Sequence, residues 1–199
     1  MGELFIKGGS GGTPTATEPS YYNGDIPFLG IADIEGRYID STAKTLTEDG
    51  LNNSAAWIVP SGAICLAMYA SVGKVAISRI DLATSQAFYN MLFDDLSLRD
   101  FVYTRLCKAV DNREWEPLIS TGTQANLNAA KVKSFDISIP SNDEMQITAA
   151  FFQQLDHLIT LHQRKHNERP KQYIAFFRRI TFLISHHNLI EAHSFSVLN

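Results

Sequence analysis

The residues best suited to covalent chemistry lie near the N-terminus. Gly8-Gly9-Ser10-Gly11-Gly12 satisfies G-x-S-x-G, the pattern in which a serine nucleophile sits on a sharp strand-to-helix turn and a histidine takes its proton. That elbow needs a helix directly after the serine, but Thr13-Pro14 and Pro19 follow, and proline blocks a helix there. All six histidines (157, 162, 166, 186, 187 and 193) lie beyond residue 140. A flexible glycine loop accounts for the run better, and a small serine hydrolase using Ser10 is the remote alternative. The same glycines do not make a phosphate cradle: no Lys-Ser/Thr pair follows, and Pro14 takes the place of the last glycine of G-x-G-x-x-G. His162 and His166 are spaced i, i+4 and could share a metal. No Glu follows the first, and Arg164 and Lys165 add positive charge between them, so no metal is expected. Asp94-Asp95 and the Asp33/Glu35 pair fit solvated turns. No catalytic residue is expected.

Non-covalent chemistry offers more. Arginine reads guanine, and Asn or Gln reads adenine, through paired hydrogen bonds to base edges. Candidate cations are Arg37, Lys44, Lys74, Arg79, Lys131 and Lys133; candidate amides are Gln86, Gln124, Asn126 and Asn128. Residues 1–140 carry 11 Lys and Arg against 16 Asp and Glu, a net of −5. That balance disfavours indiscriminate phosphate binding, which depends on counterion release. A nucleic-acid reader would have to work through a local patch.

The elements that must hold such residues fall into three zones. Residues 1–140 read as a mixed domain. Leu4-Phe5-Ile6 is a short apolar run before the glycines, and Tyr22-Asn23-Gly24-Asp25 is a turn signal. Strands are expected at 26–34, 55–59, 63–69 and 74–80, with Pro60-Ser61-Gly62 and Ser71-Val72-Gly73 as turns. Residues 86–93 read as a strand, with helix as the rival. The spacing of Leu98, Phe101, Val102, Leu106, Ala109 and Val110 predicts a helix over 97–111. Phe135, Ile137 and Ile139 alternate with polar residues, which predicts a half-buried strand.

Residues 141–169 read as one long helix. Ser141-Asn142-Asp143-Glu144 is a capping box. Ile147, Phe151, Leu155, Leu158, Ile159 and His162 share a face. Pro170 ends the run. Residues 170–199 form an atypical tail that packs Phe176, Phe177, Phe182 and Phe195 beside Arg178-Arg179 and histidines.

The 199 residues are 45% hydrophobic and 19% charged, with a net charge of −4, which excludes disorder for the bulk of the chain. Cys65 and Cys107 form no C-x-x-C, and a reducing, cytoplasmic setting is expected. Neither a secretion signal nor a membrane span is expected: the most apolar stretch, 173–190, is cut by Arg178-Arg179 and His186-His187-Asn188.

Several stretches resemble one family. Gly11-Gly12-Thr13-Pro14 and Tyr22-Asn23-Gly24-Asp25-Ile26-Pro27-Phe28 resemble the opening of a target recognition domain in type I restriction-modification specificity subunits. The run Gly122-Thr123-Gln124-Ala125-Asn126-Leu127-Asn128, Ile137-Ser138-Ile139-Pro140 and the helix from Phe151 to Lys165 are similar to its distal end and conserved helix. Ala83-Thr84-Ser85-Gln86-Ala87-Phe88 is similar to a weaker motif between them.

The resemblance implies an α/β (mixed α+β) recognition domain followed by a coiled-coil-type helix, reading one half of a split site in double-stranded DNA. The expected DNA contacts are Thr13, Arg37, Lys44, Lys74, Gln86, Gln124 and Asn126. The expected partner-binding helix residues are Phe151, Leu155, Leu158, Ile159 and His162. Such a subunit does no chemistry. S-adenosylmethionine belongs to the methyltransferase (M) subunits it docks, and a restriction (R) subunit joins the complex. One domain with one helix amounts to half a specificity subunit, which implies a homodimer or pairing with another specificity half. The rival reading is a truncated, interaction-only fragment that binds M or specificity chains without reading DNA.

Overall fold

The computed structural model describes residues 1–119 and 126–165, with side chains described as far as His162. The tail over 170–199, Gln124 and His166 therefore lie outside the described residues. The chain divides into a unit spanning Met1–Phe152 and a second from Gln153 onward.

Two small sheets build the first unit. The five-stranded sheet has the order β1 (Lys7–Ser10), β8 (Phe88–Leu92), β5 (Ile64–Ala67), β6 (Val75–Ser78), β3 (Tyr38–Ile39). Its pairs are antiparallel except β3 with β6. The second sheet places β2 (Tyr22–Leu29) between β4 (Lys44–Leu46), antiparallel, and β7 (Ala83–Thr84), parallel.

Strands β5 and β6 are buried on both faces, so they appear in the sequence as continuous apolar runs rather than alternating ones. Ile64, Leu66 and Ile77 pack into a core with Val102 and Leu106 of α2 (Leu96–Asp111). Cys65, Ala67 and Ala76 face a second core with Leu29, Ile39, Val59 and Leu82. Burial pushes the Cys65 thiol up to about 12, leaving it a small apolar filler with no thiolate to react.

Several expectations change. The glycine run is a loop only in part: Gly8 to Ser10 pair with Tyr89 to Met91 as part of edge strand β1, and Gly11-Gly12 leave it. Residues 55–59 hold no strand, only an isolated bridge from Val59 to Leu82. The expected strand over 26–34 starts earlier, at Tyr22, and ends at Leu29. Its Asn23-Gly24 signal is a bulge within β2: Tyr22 and Ile26 both oppose Leu46, and Asn23 takes φ +62. Phe135, Ile137 and Ile139 form no strand; Phe135 instead stacks on Trp115 at 4.2 Å between ring centroids. Two short helices add to the expected elements, α1 (Glu48–Asn52), capped by Thr47, and α3 (Ala129–Ser134), capped by Asn128.

Helix α4 (Asn142–Lys165) begins at the expected box. The Glu144 carboxylate accepts from the Ser141 amide at 3.0 Å and from its hydroxyl at 2.7 Å. Those bonds hold the Glu144 carboxyl below the usual carboxylate range. Among the described residues no helix is long and apolar enough to cross a membrane.

Candidate nucleic-acid interface

Strand direction decides where the candidate residues lie. Ser10 at the end of β1 pairs with Tyr89, and Ala67 at the end of β5 pairs with Phe88. Leu29 at the end of β2 pairs with Thr84 at the end of β7, while Phe28 pairs with Lys44 at the start of β4. The ends of β1, β2, β5 and β7 thus meet the starts of β4, β6 and β8. Thr13, Lys44, Lys74 and Gln86 all stand on the segments leaving or entering these strand ends.

Hydrogen bonds lock the segments together. The Thr13 hydroxyl donates to Gln86 Oε1 at 2.6 Å. Gly12 N donates to the Thr84 carbonyl at 2.9 Å. A Cβ on Gly11 would sit 1.9 Å from that oxygen, so this close approach of backbone to backbone admits only glycine. Buried Asn90 donates from Nδ2 to Thr84 Oγ1 at 2.8 Å and to the Gly9 carbonyl at 3.2 Å. It ties β1, β7 and β8 at one joint. Lys74 Nζ donates to the Ile31 carbonyl at 3.1 Å, two residues beyond Leu29. Met68 N donates to Ala87 O at 2.7 Å, and Leu127 N donates to Met68 O at 2.9 Å, so half-buried Asn126 borders the same end.

Thr13, Gln86 and Lys44 are exposed there, and Lys74 is half-buried. The Gln86 amide keeps its Nε2 protons and part of its Oε1 capacity beyond the Thr13 bond, the donor and acceptor that an adenine edge requires.

Arg37 does not join them. Only 6% exposed, it pairs with Asp100 of α2 at 3.2 Å and lies 4.5 Å from the Tyr103 ring centroid. Arg99 shares the same carboxylate at 2.8 Å. An arginine read as a surface cation is a buried strut between β3 and α2. Arg79 stacks on Tyr38 at 3.7 Å and pairs with exposed Asp40 at the far end of β6. Asn128 is occupied as a cap, accepting from Lys131 N at 2.9 Å. Among the described residues no cluster of His, Cys, Asp and Glu could hold a metal. Ser10 lies within β1, its carbonyl accepting from the Trp57 indole at 3.0 Å, and no helix starts directly after it. That is not a nucleophile elbow.

On α4 the expected single stripe divides. Met145 and Ala149 are buried, and Leu155 and Ile159 are half-buried. Ile147, Phe151, Leu158 and Leu161 stand exposed at 70%, 39%, 59% and 46%. With Gln154 these four follow alternating spacings of four and three residues, the seam of a heptad repeat. His162 is also exposed.

The type I restriction modification DNA specificity domain family matches residues 1–169. The chain belongs to this family. It is 32% identical to the type I restriction enzyme MjaIX specificity subunit of Methanocaldococcus jannaschii, over 82% of this chain and 38% of that protein. It is 28% identical to the HindI specificity subunit of Haemophilus influenzae, over 69% of this chain and 30% of that one. This specificity-domain chain therefore spans well under half the length of these relatives. Its fold is similar to that of the HsdS subunit from Thermoanaerobacter tengcongensis, at 16% identity and a TM-score of 0.56, covering 90% of this chain and 40% of that one. It is also similar to a chain from a study of complex assembly in a type I restriction-modification system, at 17% identity and a TM-score of 0.61, with 90% and 42% covered.

Proposed function

We propose that this chain reads one half-site of double-stranded DNA for a type I restriction-modification complex and docks methyltransferase subunits through α4. The observation that carries the reading is the meeting of Thr13, Lys44, Lys74 and Gln86 at one end of both sheets. Lysines there position the phosphate backbone, and the amide and hydroxyl groups read base edges. The chain itself does no chemistry. Methyl transfer from S-adenosylmethionine belongs to the M subunits, and the R subunit joins through the assembled complex. The exposed seam of α4 supports a partner helix, either from M or from another specificity half.

A gel shift of the chain with its M partner tests this. A set of duplexes should separate into one preferred sequence and many weak ones, with the preference surviving an excess of random competitor. Association with M but no preference among duplexes would mean an interaction-only fragment instead.

A further inference from the structure

The candidate DNA-facing end carries an element that charge and amide content did not single out. Residues 68–74 connect β5 to β6, and their backbone stands between Gln86 and Asn126: Met68 N donates to Ala87 O, and Met68 O accepts from Leu127 N. The connection is tightly held. Gly73 N donates to Ala67 O at 2.9 Å, Lys74 N to Ser71 O at 2.9 Å and Ser71 N to Tyr69 O at 2.8 Å. Gly73, at φ +88, lies so close to α2 and the segment after it that a Cβ would meet Val110 Cγ2 at 2.7 Å and Trp115 Cδ1 at 2.8 Å. Lys74 anchors the other side on the Ile31 carbonyl.

Within this frame Ala70 is held at φ +53, a left-handed conformation that a residue with a Cβ rarely adopts. Such a backbone persists only where its surroundings over-determine it. Ala70 and Ser71 are exposed, and Tyr69 is half-buried with its ring against the core. Neither the Tyr69 nor the Ser71 hydroxyl has a hydrogen-bond partner among the described residues. No carboxylate occurs in 68–74, and Lys74 is its one charge. A rigid tip with two unengaged hydroxyls and no acidic side chain is suited to meet a groove, because hydroxyls serve as donor or acceptor to either kind of base edge.

We propose that Tyr69 and Ser71, on the β5–β6 hairpin tip, are specificity-determining residues that contact base edges beside those read by Gln86. This rests on the DNA reading proposed above. The test uses the full chain with its M partner and competes the preferred duplex against every single-base variant of it. Tyr69→Phe keeps the packed ring and removes only the hydroxyl; Ser71→Ala changes an exposed residue. Each should reduce discrimination at one base pair by roughly tenfold. Affinity for random duplex, its salt dependence and the melting temperature should stay as they are.

If both variants keep the parent's preference at every position while Gln86→Ala relaxes one, the hairpin proposal is overturned and the DNA reading stands. Should neither the parent nor any variant prefer one duplex over another, the reading itself falls and the hairpin proposal with it. Loss of preference together with a lowered melting temperature in Ser71→Ala would assign the tip a structural role and would also overturn the proposal.

Discussion

The Thr13 hydroxyl donates to Gln86 Oε1 at 2.6 Å, joining two residues 73 positions apart in the chain. The bond orients an exposed amide at the end where two sheets meet. If Gln86 reads a base and Thr13 orients it, Gln86→Ala should cost about 1–3 kcal/mol of discrimination at one base pair. Thr13→Val should produce a smaller loss at the same base pair. A double-mutant cycle should show the two effects coupled by about 0.5 kcal/mol or more. Additive losses at different base pairs would count against this pairing.

Lys44 and Arg37 should behave in opposite ways. Lys44 is exposed at the start of β4, so Lys44→Ala should weaken binding to all duplexes alike and reduce the salt slope by about 1. Arg37 is buried on Asp100, so Arg37→Ala should cost on the order of 3 kcal/mol of stability. The remaining Arg99 bond to Asp100 limits the loss. Urea unfolding and binding as a function of salt measure the two effects. A change in base preference without a stability loss in Arg37→Ala would contradict the strut.

Gly11→Ala tests the joint beneath Thr13. The added Cβ would overlap the Thr84 carbonyl, which is backbone and can move only with β7. The expected loss is about 1–3 kcal/mol, as for overpacking elsewhere, together with weakened discrimination where Thr13 and Gln86 act. A variant as stable as the parent would show that β1 and β7 do not approach as described.

What the sequence makes legible follows how local its cause is. Strands β5 and β6 are apolar runs between turn signals, and the capping box of α4 lies within four residues, so both could be read directly. β1 could not: a lysine, two glycines and a serine offer no apolar alternation, and the strand exists because β8, some eighty residues later, pairs with it. The alternation around Ile137 misled because Phe135 is buried by ring stacking on Trp115 rather than by a sheet. Arg37 sits in a polar stretch, and only the fold brings Asp100 to it. Thr13, Lys44, Lys74 and Gln86 were legible as residue types, whereas their meeting at one end depends on strand directions that no local pattern states.

The seam of α4 yields a prediction about assembly. Ile147, Phe151, Leu158 and Leu161 are exposed, so Phe151→Asp with Leu158→Asp should leave the melting temperature of the isolated chain nearly unchanged. Burying each of these two side chains against a partner contributes about 1.5–3 kcal/mol, so the double variant should abolish association with M or with a second specificity chain in size-exclusion chromatography. The 24 residues of α4 span about 36 Å, close to one turn of B-DNA at roughly 34 Å. Two copies paired antiparallel would place identical readers across a twofold axis and select an inverted repeat. Pairing with a different specificity half would select a non-palindromic split site. Unaltered association of the double variant would remove the seam from the interface.

The most direct measurement is a map of methylated bases in DNA from cells carrying this gene with its M partner. A split motif should appear only when the gene is present and should lose one base of its definition in Gln86→Ala. A methylation pattern that is the same with and without the gene would contradict it.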